Sequence, residues 1–148
     1  MSGRYFEDFA VGDVVDTPGV TLTESAIVDF ALVYDPQPFH IDRVAAESGP
    51  FGGLIASGFQ SMALSFRLLL QTGVFAGTSL GGGVMDEVRW LKPVRPGDTL
   101  SVCMTVTDLI PSRRGDRGTV RCAYATRNQD GEVVLTFFIN QIVARRPA

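Results

Sequence analysis

The sequence predicts an α+β fold in which an antiparallel sheet curls around one buried helix. Three observations predict it. Residues 54–71 form the most apolar helical stretch of the chain, with Ile55, Phe59, Met62, Phe66 and Leu69 recurring at spacings of four and three, the signature of one packed face. Leu54, Ala56, Ala63, Leu68 and Leu70 fill much of the remaining circumference, leaving Gln60, Arg67 and Gln71 as a narrow polar stripe. A helix this apolar must be wrapped by something. Everything after it alternates apolar and polar residues, and strands that follow helices in a block indicate α+β rather than a parallel α/β fold.

The totals fit that reading. A length of 148 residues predicts one domain, and 45% hydrophobic with 20% charged residues is an ordinary globular composition. A net charge of −3 without a basic run argues against nucleic acid as the main partner. The long helix, at about eighteen residues, reaches the length of a membrane span, but its serines, glutamines and arginine assign it to a protein core. One histidine and two cysteines without metal-type spacing, Cys103 and Cys122, leave no ordinary zinc site, and no metal is expected. The start, MSGRYFEDF, lacks the basic and apolar regions of a secretory signal. A cytoplasmic protein with two buried thiols is the expectation.

In chain order, an irregular arm spans residues 1–22, with a short strand around Val11–Asp16 and a break at Pro18-Gly19. Thr23 then caps a helix whose apolar face is Ala26, Ile27, Phe30, Ala31 and Val33. It ends near Tyr34, because Pro36 disfavours a helical conformation at Asp35. A rigid polar loop follows. Asp42 caps a helical turn through Val44–Ala46, which stops at Gly49-Pro50. The long helix runs on to about Thr72, with Gly73 as its C′ residue. A glycine-rich linker over Gly77–Gly83 leads into strands at Val84–Trp90, Leu100–Val106, Val120–Thr126 and Val133–Val143. Their connections are Lys92–Asp98, Pro111–Gly118 and the hairpin turn Asn128–Gly131.

Two places carry chemistry. In Asp35-Pro36-Gln37-Pro38-Phe39-His40 the two prolines fix φ, so a carboxylate and the single imidazole are held with little freedom. Facing one cleft, they can hold a water and share its deprotonation, and an imidazole suits acid–base work near neutral pH. The alternative is a surface loop in which Asp35 caps a turn and His40 is merely polar. The second place is Ser57-Gly58. If the first helical turn lies there, the Gly58 amide is an orphan donor at the positive end of the helix dipole and can receive an oxyanion. The alternative is a glycine kept small for packing. Arg89, Lys92 and Arg95, and separately Arg113, Arg114 and Arg117, are either solvated faces or contacts for the phosphates of a carrier such as coenzyme A. Gly77-Thr78-Ser79-Leu80-Gly81 spells the serine-hydrolase elbow, but a helix precedes it and the histidine lies upstream, so it reads as linker.

The runs YDPQPFHID, GPFGGLIASGFQSMAL and VRWLKPVRPGDTL, in that order, resemble the MaoC-like dehydratase family, which includes the (R)-specific enoyl-CoA hydratases. The resemblance covers roughly Phe6 to Val143. It implies the hot-dog fold, a long helix wrapped by an antiparallel sheet, in a homodimer or higher homo-oligomer with sites at the subunit interface. Asp35, Pro38 and His40 match the family motif D-x-N-P-x-H, with Gln37 in place of the asparagine. Ser57 stands where the family has a histidine, and Gly58 matches the glycine whose amide holds the thioester oxygen. The resemblance therefore implies reversible hydration of a trans-2-enoyl-CoA to a 3-hydroxyacyl-CoA. Asp35, His40 and Gly58 would be catalytic. Gln37, Phe39, Ser57, Phe59 and Met62 would line the substrate site, and Arg89, Lys92 and Arg95 would meet the coenzyme A portion. No cofactor beyond the substrate's own coenzyme A, and no membrane or nucleic-acid partner, is implied. The rival readings are a hot-dog thioesterase and a non-catalytic acyl-CoA-binding module.

Overall fold

Pro18 and Gly19 divide the N-terminal arm into two short strands, β1 (Val14–Asp16) and β2 (Val20–Thr21), in the computed structural model, which describes residues 3–148. The strand expected over Val11–Asp16 is therefore shorter, and a second one follows the break. Helix α1 (Glu24–Tyr34) opens as expected, with the Thr23 hydroxyl accepting from the Ala26 amide at 3.1 Å. Only Ile27 and Ala31 of its apolar residues are fully buried, and Val33 is exposed.

The diproline segment is less of a loop than the sequence suggests. Pro38 sits at the first position of a short helix, α2 (Pro38–Ile41), where its fixed φ suits a helical start and its missing N–H costs nothing. Asp42 caps α3 (Arg43–Glu47) through the Ala45 amide at 3.0 Å.

The long helix α4 runs Gly58–Gln71, four residues shorter at its start than the apolar run. Residues 54–57 are extended instead, because other backbone claims them. The Ile55 amide donates to the Phe39 carbonyl at 3.0 Å, and the Ala56 amide donates to the Val94 carbonyl at 2.8 Å. Ser57 thereby becomes the N-cap, its hydroxyl accepting from the Phe59 amide at 3.3 Å. The packed face also differs from the expected Ile55–Phe59–Met62–Phe66–Leu69 stripe. Ser61, Ser65, Leu68 and Leu69 are the buried residues of α4, whereas Phe59 is 61% exposed. Ser65 can face the sheet because its hydroxyl is satisfied locally. Ser65 Oγ donates to the Ser61 carbonyl at 2.6 Å and lies 2.6 Å from Thr126 Oγ1. Gly73 takes a φ of +79° just past the helix, the left-handed conformation expected of a C′ residue.

Four long strands complete the sheet: β3 (Ser79–Trp90), β4 (Thr99–Pro111), β5 (Arg117–Arg127) and β6 (Val133–Ala144). The order is β1-β4-β5-β6-β3, antiparallel throughout, with β2 also on β4. Glycines 81–83 lie inside β3 rather than in a linker, where register shifts between Ser79 and Gly81 and between Gly82 and Val84 bulge the strand. On β4, β5 and β6 alternate residues are buried, and these inner side chains, with Leu68 and Leu69, make the core. Tyr124 and Phe137 stack there with ring centroids 4.6 Å apart. This is the hot-dog arrangement expected from the sequence. Cys122 is fully buried, and its thiol is pushed up to about 12 by burial, so it is an inert filler. Cys103 is only partly buried.

Strand β3 departs from its neighbours. It pairs only with β6, and nearly every residue of it is exposed, including Leu80, Val84, Met85 and Trp90. The expected half-buried alternation at Val84, Val88 and Trp90 is absent. Among the described residues no helix is long and apolar enough to cross a membrane.

Candidate active site

Three backbone decisions bring the two chemical places together. Helix α1 ends at Tyr34, α2 turns His40 inward, and the extended 54–57 segment delivers the start of α4 beside both. Asp35 and His40 then face each other, with Asp35 Oδ2 3.2 Å from His40 Nε2. His40 is buried, at 4% exposure. Its Nδ1 lies 2.7 Å from the Ile55 carbonyl. A carbonyl only accepts, so Nδ1 carries a proton and Nε2 is the nitrogen left to exchange one.

The Asp35 carboxylate is held from three sides. Gln37 Nε2 donates to Oδ1 at 2.7 Å, Ser57 Oγ donates to Oδ2 at 2.7 Å, and His40 approaches Oδ2. Burial pushes the Asp35 pKa up, but the hydrogen bonds from Gln37 and Ser57 and the charge and hydrogen bond of His40 outweigh it. The net result is a pKa below the ordinary carboxylate value. Gln37, which stands in place of the motif's asparagine, thus gives its amide to the carboxylate. Ser57 serves twice, as helix cap and as carboxylate clamp.

Across from this pair, the Gly58 N–H opens α4 and has no hydrogen-bond partner among the described residues. It sits at the positive end of the helix dipole. A side chain there would meet the indole of Trp90, and the Trp90 and Phe59 rings meet edge to face with centroids 6.2 Å apart.

These groups line one cavity of about 470 Å³. Asp35, Gln37, Phe39, His40, Gly58 and Phe59 all reach it, and so do Lys92 and Trp90. Of the other sequence candidates, Ser57 acts from behind through Asp35. Met62 packs partly against the core and does not line the cavity. Arg89 and Arg95 do not line it either. Arg95 donates from its guanidinium to the Phe51 carbonyl, holding the glycine-rich turn, and Lys92 pairs with Glu132. The lining residues that went unread in the sequence include Trp90, Ser61 and the Val134–Leu135 pair of β6. The alternation of β3 marks Trp90 as a strand residue but not as one that returns to the helix start. Contacts across more than thirty residues leave no local signal.

The carboxylate, the available imidazole nitrogen and the free amide around one largely apolar cavity can together take a proton from water and support negative charge on an oxygen.

Comparison with known proteins gives a consistent picture. A family model described as MaoC like domain matches residues 8–128. The chain is 34% identical over 123 residues to the uncharacterized protein YdeM of Bacillus subtilis, covering 83% of this chain and 86% of that one. It is 31% identical over 138 residues to the (R)-specific enoyl-CoA hydratase of Rhodospirillum rubrum, covering 89% and 86%. Among solved structures, the MaoC-like dehydratase from Rhodospirillum rubrum is 44% identical and superposes with a TM-score of 0.91, covering 99% of this chain and all of that one.

Proposed function

The chain belongs to the MaoC-like domain family, and from that premise we propose that it reversibly hydrates a trans-2-enoyl-CoA to the (R)-3-hydroxyacyl-CoA. The observation that carries this reading is the meeting of Asp35, His40 Nε2 and the unpartnered Gly58 N–H at one cavity.

In the hydration direction, Asp35 and His40 hold one water over C3 of the enoyl group. Its O–H bond breaks toward the Asp35–His40 pair as its oxygen bonds C3. The C2=C3 electron pair moves through C1 onto the thioester oxygen, where the Gly58 N–H receives the developing charge. The same acid–base pair then returns the proton to C2, on the face the water approached. Dehydration is the reverse. No metal or redox cofactor is called upon, because conjugation with the thioester already makes C3 electrophilic. Gln37 and Ser57 keep Asp35 ionised and aimed. Phe39 and Phe59 wall the acyl group, and Lys92 at the cavity meets the coenzyme A portion, with Arg95 and Arg89 farther out.

The working unit in this reading is a homodimer. Support comes from β3, a twelve-residue edge strand with free backbone groups and exposed Leu80, Val84 and Met85, which an isolated protein would be expected to cover or blunt. The cytosol is the proposed location, as two unpaired cysteines suit a reducing compartment.

A panel of trans-2-enoyl-CoA substrates tests the function through loss of the conjugated enoyl absorbance, with free thiol measured in parallel. Absorbance loss without thiol release is the expected result. Thiol release instead would make the protein a thioesterase, and neither signal would leave it a binding module.

A further inference from the structure

Strand β3 carries a residue in a conformation that its type resists. Glu87 has a φ of +49°, the only positive value at a non-glycine residue among the described residues, in a region where a Cβ is disfavoured. The register shows what this conformation does. Asp86 pairs with Phe138 and Arg89 with Thr136, so three steps along β3 match two along β6. The extra residue is taken up as a β-bulge.

That one residue decides which side chain meets the site. Along β6, Leu135, Phe137 and Ile139 are buried while Thr136, Phe138 and Asn140 are only partly so, and the first three mark the inner face. Residues directly opposite each other on a ladder share a face. Val84, Asp86 and Arg89 therefore stand on the outer face, opposite Asn140, Phe138 and Thr136, and Trp90 stands on the inner face opposite Leu135. A regular strand counted on from Asp86 would instead set Arg89 opposite Leu135 and Trp90 opposite Val134, exchanging their faces. The bulge thus keeps the Arg89 guanidinium out of the cavity and brings the Trp90 indole against Gly58. The Glu87 carboxylate takes no part. It is exposed, and the nearby Arg121 is held by Asp86 and Asn140.

We infer that Glu87 and Trp90 are positioning residues for the Gly58 amide. The left-handed turn at Glu87 directs Trp90 inward, and the indole, edge to face with Phe59, covers the first turn of α4. The Gly58 N–H then meets the thioester oxygen with little competing water. A donor shielded in this way supports developing charge better than a solvated one. The inference rests on the hydratase reading for what that amide receives. Neither residue exchanges a proton with the substrate, and the support they give is made in the transition state, so their loss is expected in kcat rather than in KM.

Three variants at position 87 and one at position 90 test this, with kcat, KM and the fluorescence of Trp90, the one tryptophan, as readouts. Glu87→Gly, which accepts a positive φ, should keep the wild-type kcat and emission maximum. Glu87→Val, whose branched Cβ resists that φ, should move the emission to longer wavelength as the indole turns outward. Its kcat should fall about tenfold or more, with KM within about twofold of wild type. Deletion of Glu87 removes the extra residue, so a regular ladder carries Trp90 to the same inner place, and its emission should stay near wild type. Trp90→Ala should lower kcat as the valine variant does, and with the deletion it carries the test if the valine variant fails to fold. Wild-type emission and kcat in Glu87→Val, an equal loss in the glycine and valine variants, a deletion that moves the emission outward, or wild-type kcat in Trp90→Ala each overturns the inference. If the wild type hydrates no enoyl-CoA, the hydratase reading fails alone, and the emission series still decides whether the conformation at Glu87 places Trp90.

Discussion

The indole of Trp90 lies so close over Gly58 that a Cβ on the glycine would sit 2.3 Å from Trp90 Nε1 and 2.5 Å from Cε2. A strand residue that is itself half exposed thus decides why the first residue of α4 has no side chain. Neither helix propensity nor backbone conformation demands glycine there. The neighbour does.

Gly58→Ala is accordingly expected to keep the fold, since alanine suits a first helical turn, while forcing the indole or the amide aside. Displacement of about 1 Å at a reacting centre costs on the order of 10²-fold in turnover. The protein has one tryptophan, so its fluorescence reports the shift directly. Unchanged emission together with unchanged turnover would refute this account of the site.

Asp35→Asn and His40→Ala should each lower hydration by about 10²-fold or more, the usual contribution of a positioned acid–base group. Far-UV circular dichroism on both variants separates lost chemistry from lost fold. If both hydrate normally, the proposed mechanism is wrong.

Ser57→Ala removes a helix cap and one of the bonds that favour the ionised Asp35 carboxyl. The cap is worth about 1 kcal/mol, visible as a lower melting temperature. Losing the hydroxyl raises the Asp35 pKa, so the acid limb of kcat/KM should move to higher pH. The sign for stability follows from the same shift. The folded pKa of Asp35 lies below the unfolded value of 3.8, so its contribution is present above that value and fades as pH falls through the folded pKa. Acid denaturation of wild type against Asp35→Asn, pH by pH, measures it.

Val84→Arg combined with Met85→Arg should disfavour association, by placing charge on the free edge strand. Sedimentation velocity would then show a smaller species than the wild type. A wild type that is already monomeric at micromolar concentration contradicts the dimer.

Leu69→Ala should cost about 2–5 kcal/mol, because Leu69 is fully buried and its removal leaves a cavity between α4 and the sheet. Chemical denaturation gives the value directly.

Much of the architecture was legible because it is written in local chemistry. Thr23, Asp42 and Gly73 mark helix ends through bonds and φ values confined to a few neighbours. The alternation of β4, β5 and β6 records one buried face. Helix α4 misled for the opposite reason. Its apolar stripe runs through Ile55 and Phe59, yet Ile55 is drawn into an extended segment by the Phe39 carbonyl and Phe59 stays in solvent. The glycines at 81–83 looked like a linker because bulges are set by the partner strand, not by composition.

By itself, the sequence determined the fold class, the order of elements, the pairing of an acid with the single histidine across a stiff diproline turn, and the glycine at a helix start. Only the tertiary structure decided that Ile55 orients the imidazole, that Ser57 and Gln37 hold the carboxylate, that Trp90 covers Gly58, and that Ser61 and Leu135 line the same cavity. The division follows the range of the forces. Caps, turns and periodicity act within a few residues, whereas hydrogen bonds and packing across fifteen to seventy residues exist only once the chain has closed on itself.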